Sequence, residues 1–301
     1  MQEHGSLMSQ FVLKSGVTPE ADHALMSVAV EDQPITYSSR DAILYALGVG
    51  FGSDPDLGKE LAYVFERPLL KTLPTLGTML PGLEFLEDAG WDGQQALHIG
   101  QRLEMYRPLP AASSLLANQR VIAVDDGGPE QGMRIAVQSD VRLASDETAV
   151  FTLVSTLVTP ADGAYSRTIA SATASHRLPT RSPDLSCSIA TRVDQALLFR
   201  MSGDSNPLHA DLHAAQAAGF KGPLLHGRCL LGIAVRAILR TICDYDHTLI
   251  TGIEGAFVAP AYPGDVLTTD MWQERNIVSF RCSVKDRKTI VVDNGKCTLA
   301  A

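Results

Sequence analysis

The sequence lacks the marks of several protein classes. No run of about 18 apolar residues occurs, so no stretch offers a helix long enough to span a bilayer. The segment Met1 to Met26 mixes charges with small side chains and has no uninterrupted apolar stretch, unlike a secretory leader. Lysine and arginine form no cluster and do not interleave with aromatics, and the net charge is −9; nucleic acid is therefore not an expected partner. There is no C-x-x-C pair. Cys187, Cys229, Cys243, Cys282 and Cys297 are odd in number and scattered, most of them in apolar or alternating stretches where a free thiol packs as a small hydrophobe. That excludes a disulfide framework or zinc ribbon and points to a reducing compartment.

What is present is globular. Of 301 residues, 45% are hydrophobic and 20% charged, ample for a core. At roughly 100–200 residues per domain, this length suits two domains or one fused pair. Two segments begin alike: Thr36 to Gly50 reads TYSSRDAILYALGVG, and Thr191 to Asp204 reads TRVDQALLFRMSGD. Laying Ala42 to Tyr45 over Ala196 to Phe199 superposes their apolar positions. Both have helical spacing and start near a Thr or Asp that could cap them. Further on, Arg107 to Pro110 parallels Ala261 to Gly264, each followed by a strand-rich region, Leu115 to Thr159 and Val266 to Leu299. Val278, Phe280, Cys282 and Val284 alternate with Ser279, Arg281 and Ser283, the period of a strand with one buried face. Turn signals stand at Asp125 to Gly128, Lys285 to Lys288 and Asp293 to Gly295. Pro179 and Pro183 make His176 to Ser186 a linker. The chain thus reads as an α+β, strand-rich unit of about 140 residues that occurs twice, dividing at 1–175 and 176–301.

One helix is predicted over His226 to Ile242, where Leu230, Ile233, Ala234, Ala237, Ile238 and Thr241 share a face. Gly222 and Pro223 break the chain before it. Gly227 falls in its first turn, where backbone N–H groups have no intrahelical partner.

Ser202 to His209, SGDSNPLH, is the densest polar cluster. Gly203 and Pro207 make it a structured loop. Asp204 and His209 lie five apart across a turn, which can bring a carboxylate and an imidazole to one point as an acid–base pair. Asn206 between them has donors and an acceptor with which to hold the loop. An N–H at a helix start, such as that of Gly227, suits a developing negative charge. Blander readings stand beside these. Such a loop can be a tight turn with Asp and Asn bonding their own backbone, and His226 can simply pack at the mouth of its helix. A metal site at His209, Asp211, His213 and His226 is not expected, because residues at i, i+2 and i+4 of a helix diverge.

The run Phe199 to His209, followed by Ala217 to Phe220 and by Pro223 to Gly227 (PLLHG), closely resembles the signature of the MaoC-like, or type 2, enoyl-CoA hydratases. Phe257 to Gly264 and Met271-Trp272 fit the same family. The likeness is to its two-domain members, such as the hydratase unit of peroxisomal multifunctional enzyme type 2, and runs from about Ile35 to the C-terminus. The resemblance implies a double hot-dog fold, each half wrapping a curved antiparallel sheet around one long helix. It implies hydration of trans-2-enoyl-CoA to (3R)-3-hydroxyacyl-CoA, on medium, long or bulky acyl chains. Asp204 and His209 would hold and activate the water, Asn206 would support the loop, and Gly227 would donate to the oxyanion. Ser205, Pro207, Leu208, Phe257, His98 and Ile99 would contact the substrate. Gly50 occupies the place of Asp204 in the first half, with no N-P-x-H after it, so that half would shape the acyl pocket without reacting. Phe199 departs from the pattern, standing where relatives commonly have a Tyr.

The expected partner is an acyl-CoA thioester; coenzyme A belongs to the substrate, and no further cofactor is implied. A homodimer is a further expectation. Ala300-Ala301 carries no Ser-Lys-Leu address, which makes a cytoplasmic setting the default, or peroxisomal in a eukaryote. The rivals are a hot-dog thioesterase, an acyl-carrier-protein dehydratase and a non-catalytic acyl-CoA-binding protein.

Overall fold

The computed structural model describes residues 25–53, 57–67, 69–89, 91, 96–126, 132–159 and 176–300. The expected division after residue 175 adjoins the stretch 160–175, which lies outside them, as do Gly127 and Gly128 of one expected turn.

Among the described residues ten strands form one continuous antiparallel sheet: β1 (Ala29–Tyr37), β2 (Leu97–Met105), β3 (Ser113–Asp126), β4 (Met133–Leu143), β5 (Ala149–Thr159), β6 (Leu185–Ala190), β7 (Ile250–Phe257), β8 (Val266–Glu274), β9 (Ile277–Val284) and β10 (Thr289–Leu299). Their spatial order is β1-β3-β4-β5-β2-β7-β10-β9-β8-β6. Read outward from the centre, each half repeats one connectivity. The halves join where β2 runs antiparallel to β7, with Arg102 opposite Glu254 and Leu103 opposite Ile253. The duplication read from the sequence is therefore a duplication of topology. The linker ends two residues sooner than expected, since Leu185 and Ser186 already pair with Met271 and Asp270.

The apolar face of β9 is as expected, with Val278, Phe280, Cys282 and Val284 all buried, while Ser279 of the opposite face is buried as well. The turn expected at Asp293 to Gly295 is instead a bulge inside β10. Asn294 there takes φ 52°, and the register shifts against both neighbouring strands, so the left-handed residue kinks a strand without ending it.

Among the described residues five α-helices accompany the sheet: α1 (Ser39–Gly48), α2 (Leu57–Val64), α3 (Gln195–Phe199), α4 (Leu212–Ala217) and α5 (Gly227–Thr241). Ser38 caps α1 in a reciprocal box with Asp41, its backbone N–H donating to Asp41 Oδ2 at 2.8 Å. The matching α3 is shorter. Its N-terminal Asp194 is held by Arg192 and gives no cap, and a 3-10 turn at Arg200–Ser202 runs into left-handed Gly203. The superposed aromatics Tyr45 and Phe199 meet across the two halves, ring centroids 5.8 Å apart.

α5 is buried on all sides from Arg228 to Leu239 and packs on strands of both halves. Among the described residues the first half has no helix of that length. Between α1 and β2 it uses α2 and a buried 3-10 turn at Pro74–Thr78, because Pro74, Gly77, Pro81 and Gly82 interrupt helical hydrogen bonding there. Among the described residues one long helix, not two, serves both halves.

An apolar-faced helix buried all round must still compensate its charges. Arg236 does so by a two-pronged contact with Glu60 of α2, at 2.7 and 3.0 Å, both side chains sealed from solvent. Gly52 N–H and the Tyr245 hydroxyl donate to the same carboxylate. Gly50, the counterpart of Asp204, has φ +90°, and a Cβ there would lie 2.9 Å from Arg236 Nη1. An ion pair from α5 and α2 thus fills the region where the first half could have carried a reactive carboxylate. Arg236→Met should lower the unfolding free energy by about 3–5 kcal/mol, the usual cost of stranding one partner of a buried pair. Urea titration measures this, and a change within about 0.5 kcal/mol, typical of surface substitutions, would contradict it.

Candidate active site

Past Gly203 the chain turns through Asp204, Ser205 and Asn206 into a 3-10 turn at Pro207–His209. Asn206 sets this geometry. Its side-chain oxygen accepts the Leu208 N–H at 3.0 Å and its amide donates to the Ala96 carbonyl at 3.3 Å, tying the loop to the first half. Leu208 anchors the turn among Leu97, Ile99, Val158, Phe220 and Leu224.

His209 is buried, and its Nδ1 lies 3.0 Å from the Leu224 carbonyl oxygen. A carbonyl only accepts, so Nδ1 carries the proton and Nε2 presents its lone pair. His226, immediately before α5, stacks its ring on that of His209, centroids 3.6 Å apart, and packs against Phe199 on another side. Asp204 Oδ2 accepts from Arg228 Nη2 at 2.6 Å, and Arg228 Nη1 donates to the Thr78 carbonyl at 3.1 Å. Gly227 starts α5 so close to Phe257 that a Cβ would lie 2.4 Å from its ring. Any larger residue would displace the helix start from the pocket.

Asp204, His209, Gly227 and Arg228 line a cavity of about 220 Å³ whose remaining wall comes largely from the first half, with Met79, Leu83, Ala96, Leu97, His98 and Leu157. A smaller space of about 30 Å³ shares His98, His209 and Gly227 with it and is lined also by Leu224, Leu230 and Phe257. Of the residues singled out in the sequence, Asp204, Ser205, Asn206, His209, Gly227 and His98 line the larger cavity, and Phe257 the smaller. Ile99 and Leu208 are buried in the apolar cluster instead, and exposed Pro207 opens the 3-10 turn outside both. Arg228 was missed. Its only signal was a charged side chain at the head of a mostly apolar helix, which calls for an anion without saying which one.

The electrostatics are consistent with this geometry. Burial alone would raise the Asp204 carboxyl, but Arg228, with lesser help from His226, His209 and His98, holds it well below the carboxylate range. Burial pushes His209 down, opposed by Asp204, and pushes His226 down further, with His209 stacked on it. Burial and Arg228 bring His98 down to about 3. At neutral pH the site holds an ionised carboxylate beside neutral imidazoles.

Asp204, His209 and His226 bring donor atoms within 4.8 Å of one another, a set that suits zinc by chemistry. Arg228 sits on the carboxylate that such an ion would need. Asp211 lies apart from the trio and caps α4 through the His213 and Ala214 N–H groups.

Residues 174–295 match the family model of the MaoC like domain, and residues 35–160 that of the MFE-2 hydratase 2 N-terminal domain. The chain is 33% identical to the peroxisomal enoyl-CoA hydratase 2 of Arabidopsis thaliana, over 89% of this chain and 92% of that protein. The chain belongs to the MaoC-like hydratase 2 family. Among solved structures, full-length peroxisomal multifunctional enzyme type 2 from Drosophila melanogaster superposes with a TM-score of 0.77 at 31% identity, covering 90% of this chain and 48% of that one. This family member therefore spans about half the length of that enzyme. A Mycobacterium tuberculosis protein described as having a double hot-dog fold shares only the fold, at 15% identity and TM-score 0.52, over 90% of this chain and 94% of that one. The double hot-dog architecture thus holds for this family member, with one shared central helix.

A consequence for stability follows from the depressed imidazoles. The unfolded chain takes up protons at its histidines below about pH 6.5, while His98, His209 and His226 resist protonation in the fold, so the unfolded state binds more protons. These groups leave stability level between about pH 7 and 8 and make it fall on acidification, by up to about 1.4 kcal/mol per pH unit for each such group. His98→Asn should flatten that fall in urea titrations between about pH 6.5 and 4.5; an unchanged slope would contradict it.

Proposed function

We propose that the chain hydrates trans-2-enoyl-CoA thioesters to (3R)-3-hydroxyacyl-CoA, with Asp204 and His209 handling the water. The observation that carries this is the meeting of an ionised carboxylate and an imidazole with a free Nε2 on one cavity wall, beside the first amide of α5.

A water between Asp204 and His209 has two acceptors for its protons. Removal of one proton by this pair makes its oxygen nucleophilic, and a C3–O bond forms as the C2=C3 π electrons move toward the thioester carbonyl. The charge gathering on that carbonyl oxygen meets the Gly227 N–H, which costs no reorganisation because the helix already holds it. A proton then reaches C2, closing the balance as one water added across the double bond. Neither Asp204 nor His209 starts the cycle as an acid, so the proton delivered to C2 comes from the water by way of the pair. The apolar wall of Met79, Leu83, Leu97 and Leu157 suits the acyl chain, which gives the unreactive half its part in the site.

Loss of absorbance from the conjugated thioester of decenoyl-CoA, with chiral analysis of the product, tests the reading. Asp204→Asn and His209→Gln should each lower kcat by at least about 100-fold with the fold retained. A variant near the parent rate, or a (3S) product, would refute the proposal.

A further inference from the structure

We infer that Arg228 is a positioning residue for this hydration: its guanidinium bridges the Thr78 carbonyl of one half and the Asp204 carboxylate of the other, fixing the carboxylate at the cavity. The inference rests on the hydratase reading of the same site and adds to it a residue outside the acid–base pair.

The bridge is end-on. Nη2 meets Asp204 Oδ2 at 2.6 Å and Nη1 meets the Thr78 carbonyl at 3.1 Å, so the planar fork spans two elements instead of clasping one carboxylate. The side chains are only 10% and 13% exposed, which strengthens the contact by excluding water. The Asp204 carboxylate has otherwise one hydrogen bond among the described residues, from the Asn206 N–H at 3.3 Å to Oδ1. Without Arg228, little would define the rotation of the carboxylate.

The location of the arginine argues against a role in helix stability. A cation in the first turn opposes the positive end of the helix dipole, so Arg228 weakens α5 unless an anion faces it. The groups facing Asp204 are Arg228 of α5, His226 just before it, His209 of the 3-10 turn and His98 of β2. Glu84 and Glu87 line the same cavity from their own 3-10 turn and are exposed. Arg228 is the one cation with permanent charge in this set. Remove it, and burial is left to favour the protonated carboxyl.

The test measures kcat and KM for decenoyl-CoA from about pH 5 to 9 on the full chain, as parent, Arg228→Met and Arg228→Lys. R228M should lower kcat at least about 10-fold with KM within about twofold, and should move the acid limb of kcat/KM upward by at least about one pH unit. R228K keeps the charge but not the fork; it should restore the acid limb and only part of kcat. Parent-like kcat and acid limb in R228M overturn the inference, as does a loss confined to KM, which would make Arg228 a substrate contact. If R228M does not fold by circular dichroism, R228K decides: lowered kcat with an unshifted limb supports the bridge, and parent-like kcat overturns it. A parent that hydrates nothing refutes the hydratase reading itself, whereas an active parent beside a parent-like R228M refutes only the part given to Arg228.

Discussion

Burying a charge is costly unless an opposite charge meets it, and two of the three arginines of α5, Arg228 and Arg236, are buried. Each is met by a carboxylate from a different half. Arg236 meets Glu60, which α2 supplies, and Arg228 meets Asp204, which the loop after α3 supplies. These two pairs draw the halves onto one helix and set their difference in character. The first is sealed and serves the fold. The second lies at a cavity, where its carboxylate can meet a small molecule.

The pseudo-symmetry gives this difference a structural setting. Both halves thread their strands alike, and Tyr45 and Phe199 occupy matching places against each other. The missing Phe199 hydroxyl has a physical counterpart: Phe199 packs its ring against His226, which in turn stacks on His209. An apolar contact at that point helps keep both imidazoles neutral, which a base with a free Nε2 requires.

Much of this was legible in the sequence where periodicity or a local rule carries it. The spacing of Leu230, Ile233, Ala237 and Thr241 placed α5 within a residue of its observed ends, and alternation placed the buried face of β9. Gly203 and Pro207 placed the loop that presents His209. The failures have a common cause, since each depends on contacts between distant residues. Asp293 to Gly295 has the composition of a turn, but pairing on both sides keeps it within β10. The short elements between α1 and β2 follow from Pro74, Pro81 and their glycines, whose effect on the core is evident only once α5 fills the space. Ile99 and Leu208 sit beside site residues in sequence, yet face the apolar cluster. Arg228 bonds to residues 24 and 150 positions away, and no local pattern announces either bond.

The claim on which the account turns is the protonation state of the pair: an ionised Asp204 beside a neutral His209 whose proton resides on Nδ1. Nitrogen-15 NMR of the histidine-labelled chain at neutral pH reads this directly, with resonances assigned through His209→Gln. The account predicts a neutral ring with a protonated Nδ1 and an unprotonated Nε2. An imidazolium, or a neutral ring protonated at Nε2, would contradict it.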